Sequence, residues 1–251
     1  MKLAFLASKS VKAQRALKSL VKRYGNHELN QADVVVPLGG DGFMLHSLHQ
    51  LMEKSTPVFG LSRGTVGFLM NAYREDDLIE RISKAKDTVL HPLEMKAFQV
   101  NGQIKESLAI NEVSLLRQTK QSAHIKVKIN EDTKIERLVG DGIMVATPAG
   151  STAYNLSAHG PVIPMGSEIL AVTPISPFRP RRWRGAIIPS HAVVSFEILS
   201  HRKRPVSATS DNFEVRHVCR VDIRARKDIG IHVLYDPQHN LEDRILNEQF
   251  E

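Results

Sequence analysis

The chain has 251 residues, 42% of them hydrophobic, and a formal net charge of +7 from 34 basic and 27 acidic side chains. This length accommodates one or two domains, and no apolar stretch nears the roughly 20 residues that cross a bilayer, which sets membrane-spanning classes aside. Its one cysteine, Cys219, excludes an intramolecular disulfide and suits a reducing, cytoplasmic setting, while the basic excess favours anionic partners such as nucleotides, polyphosphates or nucleic acid.

Residues 3–7 are apolar, too few for the core of a signal peptide, and read as a buried first strand. Ser8 or Ser10 then caps a helix whose apolar positions are Ala13, Ala16, Leu17, Leu20 and Val21. A second strand, residues 34–38, leads into Gly39-Gly40-Asp41-Gly42 and a helix with Met44, Leu45, Leu48, Leu51 and Met52 on its apolar face. Residues 57–61 form a third strand that runs into another glycine-bearing loop, residues 63–68, and residues 75–82 form a short helix. Alternating strands and helices imply a parallel sheet, with ligands beyond the carboxyl ends of its strands. Both glycine loops lie at such ends, so they face one cleft.

After His91-Pro92 the pattern changes. Asn101-Gly102 marks a hairpin turn, Ile125, Val127 and Ile129 alternate with lysines, and residues 143–147, 193–199, 218–223 and 229–234 continue the β character. The expected organisation is therefore a Rossmann-like α/β domain over 1–91 and an antiparallel β-sandwich over 92–235. The tail, 236–251, is either a helix or an extended segment that docks back on the first domain.

Three basic clusters stand out: Arg179 to Arg184, His201 to Arg204, and Arg216 to Lys227. The last two read as solvated loops and sheet faces. The first holds Trp183 and a proline, and reads as a subunit contact or a phosphate-facing loop. Nucleic-acid binding needs an aromatic stacking face among such residues, and only Trp183 and Phe213 lie near them.

A carboxylate in a glycine-rich strand-to-helix turn is the feature with most chemistry. The turn exposes backbone N–H groups at a helix N-terminus, which favours phosphate. Asp41 would be repelled there unless it has a task; the plain alternative is that it caps its own helix. A second segment runs from Gly140-Asp141-Gly142 to Thr147-Pro148-Ala149-Gly150-Ser151-Thr152-Ala153-Tyr154-Asn155-Leu156-Ser157. Its hydroxyls, small residues and Tyr ring suit a nucleoside or sugar hydroxyl better than a metal. In a third, Asn111 and Glu112 interrupt an apolar strand and need buried partners, for which a ligand is one candidate.

Taken together these pieces resemble the ATP- or polyphosphate-dependent NAD kinase family over residues 30 to 235. The resemblance implies an α/β domain followed by a β-rich one, and transfer of a phosphoryl group from ATP or polyphosphate to the 2′-hydroxyl of the adenosine ribose of NAD. It implies Asp41 as proton acceptor, with Gly39, Gly40 and Gly42 letting backbone approach the phosphates and Phe68 lining the adenine pocket. Asn111, Glu112, Thr152, Ala153, Tyr154 and Ser157 would hold the dinucleotide, with Asn155 and Leu156 in the same turn. Asp141 would contact the nicotinamide-side ribose, and His124 matches a binding position of some members. A divalent ion, Mg²⁺, held largely by the donor's phosphates, and a dimer or tetramer are also implied.

The chain departs from the family pattern at Ser62, Ala149, His159 and Asn212-Phe213, the last pair following Asp211, which resembles a late family aspartate. A lipid or sugar kinase sharing the Gly-Gly-Asp-Gly turn is the alternative enzyme.

Overall fold

The computed structural model describes residues 1–52, 54–64 and 67–237. The chain divides into two compact units: Met1–Leu90 with the described residues from Ile229 onward, and His91–Asp228.

The first unit is α/β. Strands β1 (Leu3–Ala7), β2 (Val34–Gly39) and β3 (Leu61–Ser62) form a parallel sheet in that order. Every residue of β2 is buried, as expected of a parallel strand covered on both faces. Helix α1 (Val11–Tyr24) follows β1, and Ser10 is its N-cap, accepting a hydrogen bond from the Ala13 N–H at 3.2 Å. Its C-terminus closes on Gly25 at φ 76° behind Lys22 and Arg23, which complement the helix dipole. Ala13, Ala16 and Leu20 pack against Leu3, Phe5, Val36 and Leu38 in the unit's core. Helix α2 (Asp41–Leu51) follows β2 directly and buries Met44, Leu48 and Leu51.

Helix α3 is Leu78–Ser83, shorter than the expected 75–82, because Asp77 takes a left-handed φ of 55° and cannot belong to the first helical turn. The third strand is also less regular than expected: within 57–61 only Val58 and Leu61 pair. Val58 bridges Val35 on one side and Val233 on the other, both in parallel. Val233 lies in the strand Ile231–Tyr235, which pairs antiparallel with β4 (Lys86–Leu90). The returning strand thus completes the α/β sheet, and the boundary falls at Asp228 where residue 235 was expected. A buried ion pair, Arg81 Nε to Asp236 Oδ2 at 2.7 Å, ties its end to α3. The expected docking of 236–251 lies almost wholly outside the described residues.

The second unit holds, in chain order, β5 (Leu93–Gln99), β6 (Ile104–Ala109), β7 (Glu112–Arg117), β8 (Ala123–Ile129), β9 (Asp132–Gly140), β10 (Gly142–Ala146), β11 (Ile169–Ile175), β12 (Ala186–Pro189), β13 (Val194–Ile198), β14 (Val206–Ser210), β15 (Phe213–Val215) and β16 (Val218–Ala225). They form two six-stranded antiparallel sheets, β12-β11-β10-β7-β14-β15 and β6-β5-β16-β13-β8-β9. The sheets share one core, in which Val113, Leu115, Ile143 and Val145 of the first meet Met95, Ile125, Phe196 and Val221 of the second. Alternation in β8 buries Ala123, Ile125 and Val127 and turns His124, Lys126 and Lys128 outward. Gly102, at φ 85°, closes the expected hairpin between β5 and β6. Among the described residues no helix is long and apolar enough to cross a membrane.

Candidate active site

In the first unit the two glycine loops are joined. β2 and β3 run side by side, pairing Leu38 with Leu61 and Gly39 with Ser62, so the loops that follow start together. The Arg63 N–H donates to the Gly39 carbonyl at 2.7 Å. The carboxylate of Asp41 then accepts the Phe68 N–H at 2.8 Å on Oδ2 and the Leu69 N–H at 3.1 Å on Oδ1. Asp41 therefore does not cap its own helix: the cap position is Gly40, which makes no side-chain hydrogen bond. This contact requires glycine at 67, where a Cβ would lie 2.1 Å from Asp41 Oδ2. By contrast, Gly40 and Gly42 have open space where a side chain would be, with no atom of the described residues within 4 Å of it. An uncapped helix N-terminus with bare backbone around it is an anion site by its electrostatics. Ser62, one of the departures, is buried and bonds within the loop, its hydroxyl meeting the Gly64 carbonyl at 3.3 Å.

In the second unit, Asn111 does not interrupt a strand; it sits in the turn between β6 and β7. Asp211, in the turn between β14 and β15 at φ 50°, clamps it. Its carboxylate accepts the N–H groups of Ile110, Asn111 and Glu112 at 2.7, 3.0 and 3.2 Å. From the other side, the Thr147 hydroxyl donates to the Ile110 carbonyl at 2.7 Å and accepts the Gly150 N–H at 3.1 Å. Gly150 presses so close that a Cβ there would lie 2.2 Å from the Asn111 carbonyl oxygen. The result is a turn fixed on two sides, with two side-chain atoms left over. Asn111 Oδ1 and Glu112 Oε2 are buried and have no hydrogen-bond partner among the described residues. Such atoms cost about 1–3 kcal/mol each unless something else satisfies them. Burial, with the Asp211 charge nearby, pushes the Glu112 carboxyl up to about 7.

The segment after Pro148 is a 3₁₀ turn, Ala149–Thr152, followed by a four-residue helix, Tyr154–Ser157. Tyr154 and Ser157 are exposed, and Thr152, Ala153 and Leu156 are half-buried. Burial, then the charges of Glu112 and Asp141, raise the Tyr154 hydroxyl, which places these three residues in one neighbourhood. Asp141 is paired with Arg117, Oδ1 to Nε at 2.5 Å.

Asn155 differs from its neighbours. It is fully buried, its amide donates to the carbonyls of Ser151 and Pro161, and its oxygen accepts from the Thr173 hydroxyl at 2.6 Å. Its side chain is spent inside the fold. His159, one of the departures, adopts φ 61°, the left-handed conformation that glycine takes freely. His124 stands apart on the other sheet and on its outer face; burial, Arg204 and Arg137 lower its pKa. Local reading of the sequence missed Asp211 as a clamp and Arg117 as the partner of Asp141, since their contacts span 99–101 and 24 residues. The one local signal for Asp211 is a polar Asp-Asn pair at a strand reversal.

The ATP-NAD kinase N-terminal domain family matches residues 3–88 and the ATP-NAD kinase C-terminal domain family matches residues 110–227. The chain is 55% identical to a NAD kinase of Xanthomonas oryzae over 251 residues, covering 99% of this chain and 97% of that one. It is 53% identical to a NAD kinase of Xylella fastidiosa over 249 residues, covering 99% and 96%. In three dimensions it is similar to yeast NADH kinase complexed with NADH, with a TM-score of 0.85 at 20% identity, covering 100% of this chain and 87% of that one. It is also similar to an NAD kinase from Archaeoglobus fulgidus in complex with ATP, with a TM-score of 0.79 at 22% identity and 98% coverage of each. At those identities the structural likenesses speak for the fold, while the matches along the whole sequence speak for descent. This chain belongs to the NAD kinase family.

Proposed function

We infer that the protein is an NAD kinase that transfers the terminal phosphoryl group of ATP to the 2′-hydroxyl of the adenosine ribose of NAD, giving NADP and ADP. The observation that carries the mechanism is the Asp41 carboxylate, held by the Phe68 and Leu69 amides at the uncapped start of α2. Phosphoryl transfer passes through a loose transition state, so positioning matters more than basicity. A carboxylate fixed by one amide on each oxygen is oriented, and each oxygen keeps a lone-pair site for a hydroxyl. Asp41 aligns the 2′-hydroxyl for attack on the terminal phosphorus and accepts its proton as the new P–O bond forms and the bond to the ADP oxygen breaks. The bare backbone at Gly40 and Gly42 gives donor phosphates room to approach.

Asn111 Oδ1 and Glu112 Oε2, buried with no hydrogen-bond partner among the described residues, support the assignment of these two residues to the dinucleotide. Thr152, Ala153, Tyr154 and Ser157 are proposed to line the same ligand, and Asp141 its second ribose. Asn155 supports that turn from within. His124, on the outer face of the other sheet, is given no role in this reaction. Among the described residues no three His, Cys, Asp or Glu side chains gather. The divalent ion that the family resemblance implies would be held largely by the ATP phosphates, where it would offset their charge.

Asp41→Asn tests the assignment. Asparagine keeps one acceptor oxygen and sets its NH₂ group against a backbone N–H, so it removes both the proton acceptor and half of the anchor. NADP formation from NAD and ATP, followed with an NADP-specific dehydrogenase, should fall about 10²- to 10⁴-fold, with the far-ultraviolet circular dichroism unchanged. Turnover within a few-fold of the parent enzyme would refute the role. Parallel assays with polyphosphate in place of ATP, and NADH in place of NAD, define the donor and the redox form.

A further inference from the structure

We propose that Asp211 is a positioning residue for the acceptor dinucleotide, a clamp that presents Asn111 Oδ1 and Glu112 Oε2 to it. The proposal deepens the NAD kinase reading and rests on it.

Three successive backbone N–H groups, those of Ile110, Asn111 and Glu112, end on one carboxylate. Hydrogen bonds to an ionised acceptor are the strong ones, and three from consecutive residues fix the peptide planes of the turn as well as its place. Asp211 does this from a strained position, with φ 50° in a non-glycine residue. Its own N–H returns a bond to the Glu112 carbonyl at 3.2 Å, so the two turns are laced in both directions.

A free turn carrying Asn111 and Glu112 would rotate until their polar atoms found water or backbone. Here it cannot, and Asn111 Oδ1 and Glu112 Oε2 stay buried and unpartnered. The clamp stores the unsatisfied polarity that a ligand's hydroxyl and amide groups then relieve.

Asp211 also acts on Glu112 through charge. The groups that face Glu112 are Asp211, from the β14–β15 turn, and the Tyr154 hydroxyl, from the short helix after the 3₁₀ turn. Among the described residues no positive side chain is among the charges that bear on it. With its carboxyl at about 7, Glu112 is largely un-ionised toward pH 6 and can there donate its O–H to a dinucleotide oxygen. Ionised, it sets a second negative charge against a ligand that carries a pyrophosphate. Dinucleotide binding should therefore weaken as pH rises through 7.

The test is steady-state kinetics of the whole enzyme from pH 6 to 9 with NAD and ATP varied separately. Asp211→Asn keeps the size and one acceptor oxygen but loses the charge. It should raise KM for NAD about tenfold, leave KM for ATP unchanged and keep kcat within about threefold. The fall in kcat/KM for NAD with rising pH should begin at lower pH, because the neighbouring negative charge is gone. Glu112→Gln, which mimics the neutral acid and needs no change in the clamp, should make that profile flat above pH 6. The proposal is overturned if Asp211→Asn leaves KM for NAD unchanged, if it shifts KM for ATP and kcat equally, or if Glu112→Gln keeps the parent pH profile. Should Asp211→Asn not fold, the Glu112→Gln profile decides. A parent enzyme that forms no NADP at any pH points elsewhere, to failure of the kinase reading itself.

Discussion

Glu112 makes a prediction whose size follows from its burial. Its carboxyl titrates at about 7 in the folded chain against 4.5 for an ordinary glutamate. Each pH unit of such a difference is worth about 1.36 kcal/mol, so the full effect is about 3 kcal/mol. The sign follows from which state holds the proton. Between pH 4.5 and 7 the folded chain holds a proton that the unfolded chain has released, so stability falls as pH rises through that window. Below it the carboxyl is neutral in both states; above it the buried charge is carried in full. Glu112→Gln replaces the neutral acid by an isosteric neutral amide and removes the titration. Its unfolding free energy should match the parent near pH 4.5 and exceed it by a margin growing to about 3 kcal/mol by pH 8. Urea unfolding of both proteins without nucleotide, at pH 4.5, 6, 7 and 8, measures the margin. A difference that is constant across these values would show that Glu112 is not held un-ionised, and would refute the reasoning.

Gly67→Ala tests the anchor of Asp41: a methyl group 2.1 Å from Oδ2 must push the carboxylate off its amides. A displacement of this order costs about 10²-fold in turnover, while NAD binding, measured by direct titration, should stay within about threefold; unchanged kcat would refute the anchoring role. Asn155→Ala should act on stability, because it strands the carbonyls of Ser151 and Pro161 and the Thr173 hydroxyl inside the fold. A loss of about 2–4 kcal/mol in urea unfolding is expected, and a raised KM for NAD with no change in the unfolding midpoint would return Asn155 to the ligand.

What could be read along the chain was what local spacing and turn chemistry encode. The Ser10 cap, the run of valines in β2 and the alternation in β8 each declare their element within a few residues. The motif residues likewise carry a recognisable order. The same reading failed where a distant partner decides the outcome. Nothing near Ile231 says that it pairs with Leu90 and not with the antiparallel sheets, since its alternation is that of any half-buried strand. Asp77 delayed the start of the expected helix through one backbone angle. Asn155 sits among the exposed or half-buried residues of 152–157 and cannot be told from them by type, yet its side chain is wholly engaged in the fold.

Asp41 and Asp211 show how one device can serve two ends. Each is a carboxylate held by backbone amides of a segment distant in sequence, two for Asp41 and three for Asp211. The difference lies in what the amides leave over. On Asp41 each oxygen takes one amide, which leaves each a lone-pair site for the hydroxyl of the proposed reaction, and Gly40 and Gly42 have open space where a side chain would be. On Asp211 Oδ1 takes two amides and Oδ2 a third, so the carboxylate is committed to holding the turn. A carboxylate in a phosphate-binding turn first looks like a charge in the wrong place. Tied to the Phe68 and Leu69 amides, its charge is partly met by N–H dipoles before any ligand arrives. In the proposed reaction that would let it stand beside phosphate oxygens and accept the hydroxyl proton.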